Sequence, residues 1–207
     1  MRTSPGQNLL EAIIAIGVIL TAVIGSSTLI ISSITAGRAS QNRTEAANFA
    51  REGIEIVRAM RDSNWLKFEQ NEKVGAALPA WNTGLNVAGS YILTYSTNTV
   101  PPGWSLVSCG GCAAADIIIY QTTNQANGNR SMYNQYLNGA CISQNTPGSC
   151  SATKYSRVIT LSVGIDDLGD ADILNNQSYL LVQSTVNWTA RTNPTTLTSQ
   201  VRLYDWK

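Results

Sequence analysis

An α+β fold follows from a change in hydrophobic period along this 207-residue chain. The N-terminal stretch is a continuous apolar run that passes into apolar residues recurring every three or four positions, as in a helix. From about residue 90 onward apolar and polar residues alternate, as in strands, with turn residues between. The expected architecture is a long N-terminal helical spine, its first half able to span a membrane, packed on an antiparallel β-sheet.

The apolar run begins at Leu9-Leu10 and stays uncharged from Ala12 to Gly37. As a helix those residues extend roughly 39 Å, against a hydrocarbon core of about 30 Å. The run is about twice the length of a signal-peptide apolar region, and no Ala-x-Ala closes it. One carboxylate, Glu11, stands at its head, five residues after Gly6. An ionised carboxylate in hydrocarbon costs about 2.5–3.5 kcal/mol on insertion scales, so this placement calls for a partner.

Gly6-Gln7-Asn8-Leu9-Leu10-Glu11-Ala12-Ile13 resembles the cleavage and methylation motif of type IV pilins and pseudopilins. Gln7 and Asn8 depart from the usual Phe or Met and Thr, and the leader Met1–Gly6 is short, with Arg2 its only basic residue. The resemblance implies that a prepilin peptidase cuts between Gly6 and Gln7 and methylates the Gln7 amine. Glu11 becomes the fifth mature residue and an assembly determinant. Residues four apart share a helix face, so amine and carboxylate pair either within one chain or between neighbours. The resemblance favours pairing between chains.

Charge distribution points the other way on topology. Arg2 precedes the run, whereas Arg38, Arg43 and Arg51 follow it, which by the positive-inside rule places the downstream region in the cytoplasm. The pilin resemblance and the cysteines place it outside, and that orientation is the one adopted. The implied localisation is the inner or cytoplasmic membrane before assembly and an extracellular filament afterwards.

The helical period continues beyond the run. Ala46, Phe49, Ala50, Ile54, Val57 and Met60 form one apolar face, and Arg51–Glu55 and Arg58–Asp62 are i,i+4 pairs. Asp62-Ser63-Asn64 reads as the stop, giving a helix of roughly 84 Å from Gln7. Gly17 and Gly25, with Ser26, Ser27, Ser32 and Ser33, suit close packing against other helices. No proline lies between Pro5 and Pro79, so no proline kink is expected.

The candidate strands are Ser90–Tyr95, Asp116–Tyr120, Tyr155–Ile165, Tyr179–Ala190 and Leu197–Trp206. Val182, Ser184, Val186 and Trp188 alternate with Gln183, Thr185 and Asn187, as expected if the first set packs on the helix. Arg191-Thr192-Asn193-Pro194 reads as a turn. The Val186-Asn187-Trp188-Thr189 and Leu203-Tyr204-Asp205-Trp206 segments are similar to the C-terminal sheet of minor, V-type pilins. The organisation expected is a leader at 1–6, a hydrophobic helix at 7–37, its amphipathic continuation at 38–64 and a β-rich domain at 65–207. That domain carries a disulfide-bearing loop insertion at about 100–153.

Cys109, Cys112, Cys141 and Cys150 read as two disulfides in an exported, loop-rich region, with three pairings open; a redox-active Cys109-Gly110-Gly111-Cys112 is the lesser alternative, since no thioredoxin-like strand–helix context surrounds it. The chain contains no histidine, which removes Ser-His-Asp and Cys-His catalysis and weakens a zinc reading. It also lacks a phosphate-binding loop or dinucleotide fingerprint, so no enzymatic activity and no cofactor is expected. Asp166, Asp167, Asp170 and Asp172, helped by Asn175, form the one candidate Ca²⁺ site, and a solvated acidic turn is the plainer reading. Net charge of +1 gives no footprint for nucleic acid. The partners implied by the resemblance are the prepilin peptidase, other pilin subunits and the membrane. The expected role is that of a structural subunit, a minor pilin. The alternatives are a pseudopilin of a secretion or DNA-uptake apparatus and a surface-anchored binding domain that does not polymerise.

Overall fold

The computed structural model describes residues 5–70, 80–96, 103–124, 130–136, 150–166, 177–190 and 193–204. One helix, α1 (Pro5–Glu69), precedes seven strands: β1 (Gly89–Ser96), β2 (Gly103–Ser108), β3 (Ile118–Asn124), β4 (Arg130–Asn134), β5 (Cys150–Asp166), β6 (Gln177–Ala190) and β7 (Asn193–Tyr204). The chain divides into two compact units, Met1–Thr44 and Glu45–Lys207. The α+β class expected from the hydrophobic periods is the one observed.

In the second unit, the Glu45–Glu69 part of α1 lies on one face of the sheet. Ala46, Phe49, Ala50, Ile54 and Val57 are buried, as their spacing of three and four requires. The helix does not stop at Asp62-Ser63-Asn64 but continues to Glu69. Ser63 Oγ donates back to the Ala59 carbonyl (2.7 Å), which satisfies the hydroxyl without breaking the helix. Asn64 is held outward, its amide donating to the carbonyls of Trp81 (3.2 Å) and Thr83 (2.9 Å) in the connection to β1. Lys67 in the last turn complements the negative end of the helix dipole. The expected ion pairs are rearranged. Arg58 meets Glu55 at 2.6 Å, three residues back, and Asp62 is taken by Arg61 at 2.8 Å.

The sheet is antiparallel throughout its pairings and is organised around β5. One edge of β5 carries β6 and, beyond it, β7. The other edge is shared, by β3 along Cys150–Ser156 and by β1 at Ile159–Leu161. β2 adds to β1 and β4 to β3. Tyr155, Arg157, Ile159 and Leu161 of β5 and Leu180, Val182, Ser184, Val186 and Trp188 of β6 are the buried rows that face α1. The alternation expected for residues 182–188 is therefore present, with the polar set on the outer face. There Thr185 bonds Thr198 (3.1 Å), Gln183 bonds Gln200 (3.0 Å) and Thr196 bonds Asn187 (2.7 Å), so β6 and β7 are laced by side chains as well as backbone.

Three expectations from the sequence are corrected. Asn193 and Pro194 belong to β7, opposite Ala190 and Thr189, and only residues 191–192 separate the two strands. Proline is tolerated there because β7 pairs β6 alone and proline is confined to edge strands and strand starts. β5 begins at Cys150, five residues before Tyr155, and β7 four before Leu197. The stretch about 100–153, expected to carry a disulfide-bearing loop insertion around a strand at Asp116–Tyr120, contributes β2, β3, β4 and the start of β5, with β3 overlapping the expected strand.

The core divides into two apolar clusters along the helix. Ala46, Phe49, Ala50, Ile119, Tyr155, Val186 and Trp188 form one. Ile54, Val57, Leu85, Tyr91, Leu93, Ile159, Leu161, Leu180, Val182 and Leu203 form the other. Between them runs a polar belt of Gly53, Arg157, Ser184 and Gln135. At Gly53 the helix comes so near the sheet that a β-carbon would lie 2.7 Å from both Ile159 Cδ1 and Ser184 Oγ. Glycine here serves close approach rather than an unusual φ.

Arg157 is fully buried. Its Nη1 donates to Glu52 Oε2 (3.0 Å) and to the Phe49 carbonyl (3.1 Å), and its Nε donates to Gln135 Oε1 (3.2 Å). Burial lowers its pKa and the Glu52 carboxylate opposes that shift. Gln135, also fully buried, uses every hydrogen-bonding position it has. Its Nε2 donates to the carbonyls of Ile117 (2.8 Å) and Arg157 (2.7 Å), while Oε1 accepts from Leu93 N (3.3 Å) and Arg157. Beside it, Asn134 accepts from Tyr95 N (2.9 Å) and donates to Tyr95 O (3.2 Å). Two side-chain amides thus stand in for the ladder where β1 separates from β5.

The two sides of the Arg157–Glu52 pair are unequal, since the Glu52 side chain is 36% exposed and Arg157 is not exposed at all. Glu52→Ala strands a buried cation and should cost about 3–5 kcal/mol. Arg157→Met removes that charge, lets Glu52 rehydrate, and should cost less. Urea unfolding of the full-length protein in detergent micelles checks the order; equal losses would contradict it. Gly53→Val overpacks the closest helix–sheet approach and should cost about 1–3 kcal/mol in the same measurement.

Candidate functional site

The first unit presents the feature with the plainest functional content. From Leu9 to Ile34 the large apolar side chains of α1 are 52–73% exposed, on every side of the helix. A helix that is apolar all round belongs inside a large protein or a membrane, not in water. This one is long and apolar enough to cross a membrane by length and composition. Five of its hydroxyls donate back to the helix. Thr21 donates to the Val18 carbonyl (2.9 Å), Ser26 and Ser27 to Val23 (2.9 and 2.8 Å), Thr28 to Ile24 (3.0 Å) and Thr35 to Ile31 (2.8 Å). An apolar surrounding therefore pays no penalty for unpaired donors at these positions. Gly17, Gly25 and Gly37 have open space where a β-carbon would lie, so a neighbouring helix has room to come close there.

Glu11 sits exposed among Leu10, Ile13 and Ile14. The backbone is already helical from Pro5, so the Gly6–Gln7 bond lies within the first turn and Gln7 and Glu11 share a helix face. The side chains of Gly6's neighbours Pro5, Gln7 and Asn8 lie outside the described residues.

At the head of the second unit Tyr155 anchors the helix a second time. Its hydroxyl donates to Glu45 Oε2 (2.6 Å) while its ring packs on Phe49 and Trp188, with centroids 5.3 and 6.3 Å away. Desolvation and the adjacent Glu45 carboxylate push the phenol well above its ordinary pKa, so it stays a donor through the neutral and alkaline range. Burial likewise raises Tyr136, against hydrogen bonds from Asn134 and Thr122.

Of the cysteines, Cys109 and Cys112 are joined to each other, with Cα atoms 4.6 Å apart. Cys150 is disulfide-bonded too, and Cys141 lies outside the described residues. The Cys109–Cys112 turn extends the β1–β2 ladder through the bond from Cys109 N to Ser90 O (3.1 Å). It borders a cleft of about 550 Å³ lined by Ala88, Gly89, Ser90, Ser108, Gly110, Gly111, Cys112 and Val158. Of the acidic loop, Asp166 ends β5, and Asp167, Asp170, Asp172 and Asn175 lie outside the described residues. Among the described residues no group of three or more carboxylates and cysteines is placed to hold a metal ion.

Sequence reasoning singled out neither Arg157 nor Gly53. The signal for Arg157 is a charged residue on the inward parity of a strand whose neighbours at that parity are Tyr155, Ile159 and Leu161. Gly53 lies between Ala50 and Val57 on the buried helix face. Comparison with protein-family models, with curated proteins and with solved structures finds no match for this chain.

Proposed function

We propose that this chain is a pilin-like structural subunit, a minor pilin of a type IV pilus. It is made as a precursor, cut after Gly6, N-methylated at Gln7, held in the membrane by the apolar part of α1 and then drawn into a filament by helix packing. The observation that carries this reading is the Gly6–Glu11 spacing at the head of a helix whose apolar surface is exposed on all sides. Such a surface has two stable settings, lipid and the apolar flanks of like helices, and assembly exchanges one for the other. The carboxylate is costly in both unless it meets a cation, and cleavage creates one at Gln7.

The role is mechanical rather than catalytic. The second unit contributes a stable body, joined to α1 by the Arg157 and Tyr155 contacts, with its β2, β4 and β7 edges and its disulfide turn available for display. Adhesion, motility or filament initiation are the tasks such a subunit serves.

Mass spectrometry of the mature N-terminus tests the processing step: an N-methylated Gln7 is expected, and an intact Met1 in membrane-inserted protein defeats the reading. Glu11→Ala is expected to leave membrane insertion unchanged or improved while reducing incorporation into isolated filaments at least tenfold. Normal incorporation of that variant would remove Glu11 from the assembly mechanism.

A further inference from the structure

The Cys109-Gly110-Gly111-Cys112 turn has a property that neither structural stapling nor filament assembly uses. Its disulfide closes a loop of four residues, the regime in which a cross-link restrains the unfolded chain least. The same residues are already tied by backbone hydrogen bonds, since the N–H groups of Gly111 and Cys112 both donate to the Cys109 carbonyl. Tyr91 and Ser90 hold Ser108 and Cys109 in the sheet independently of sulfur. Opening the bond therefore leaves the ladder intact.

Cys112 has φ of 40°, in the left-handed region that a residue with a β-carbon occupies at a cost. Cys112 also lines the cleft of about 550 Å³, together with small, uncharged neighbours, whereas Cys109 does not. Val158 is the largest of the other lining residues, the rest being glycines, Ala88 and two serines, and none of them is charged.

We propose that Cys109–Cys112 is a thiol-exchanging disulfide, opened at Cys112 by a small-molecule thiol entering this cleft. The incoming thiolate forms a bond to Cys112 Sγ, the Cys112–Cys109 sulfur bond breaks, and Cys109 leaves as the thiolate. With a monothiol the product is a mixed disulfide on Cys112. Cys109 then either reverses the exchange or, when a second equivalent of the thiol attacks the mixed disulfide, remains reduced beside a free Cys112 while the two incoming thiols leave joined as their own disulfide. The turn is thus a modification site, separate from the other disulfide, which involves Cys150 at the start of β5.

The test uses the full-length protein in detergent micelles, titrated with reduced glutathione, quenched with N-ethylmaleimide and mapped by peptide mass. Glutathione on Cys112 and maleimide on Cys109 are expected at thiol concentrations at least tenfold below those that label Cys150. The thermal unfolding midpoint should not move when only this pair is opened. Labelling of Cys150 at the same or lower concentration, glutathione on Cys109 instead of Cys112, or reaction only after unfolding would each overturn the proposal. A Cys109→Ser/Cys112→Ser variant that keeps the wild-type midpoint supports the independence of the turn from the fold; one that loses it counts against the proposal.

Discussion

The fold depends on how closely α1 approaches the sheet at Gly53. With no β-carbon at that position, the helix backbone sits directly over Ile159 and Ser184, and Arg157 reaches the Phe49 carbonyl as well as the Glu52 carboxylate. A side chain at residue 53 would lift the helix, and the guanidinium would then lose its backbone acceptor first. Gly53 and Arg157 are therefore one device: closeness makes the buried charge bearable, and the buried charge fixes where along the strands the helix lies. Apolar clusters on either side supply the bulk of the attraction, but they are non-directional and would tolerate a shift. The belt between them does not.

The same belt settles the sheet. β1 and β5 part after Tyr91, and an unpaired seam through a buried sheet would leave several backbone groups unsatisfied. Asn134 and Gln135 close the seam with side-chain amides, and Gln135 simultaneously receives Arg157. Helix position, strand divergence and the end of β4 are thus coupled through one buried carboxamide. Ser184 Oγ and Arg157 Nη2 have no hydrogen-bond partner among the described residues, so the belt is not perfectly balanced.

Much of this was legible in the sequence. The helical period marks the buried face from Ala46 to Val57, and the strand alternation at Val182–Trp188 marks the face turned to the helix. What was not legible has a common physical cause: the groups involved act through partners distant along the chain. A glycine within a helix looks like a weakness until the surface above it is known. An arginine in a strand looks solvent-facing until its parity is counted against Tyr155 and Ile159. β2 and β4 are short edge strands whose pairing is decided by β1 and β3, and Asn193-Pro194 has turn composition but sits at the start of an edge strand. The Gly6–Glu11 spacing is the opposite case, a local pattern that is read without reference to the fold.

The hydroxyls of the apolar half of α1 have a consequence of their own. Thr21, Ser26, Ser27, Thr28 and Thr35 turn their protons back onto their own helix, so none of them offers a donor to a neighbour. What remains on that surface is mostly methyl and methylene, interrupted by Ser32 and Ser33 and headed by Glu11. A rotation of this helix about its own axis exchanges one methyl surface for another of similar depth, so its apolar side chains give it no preferred outward face.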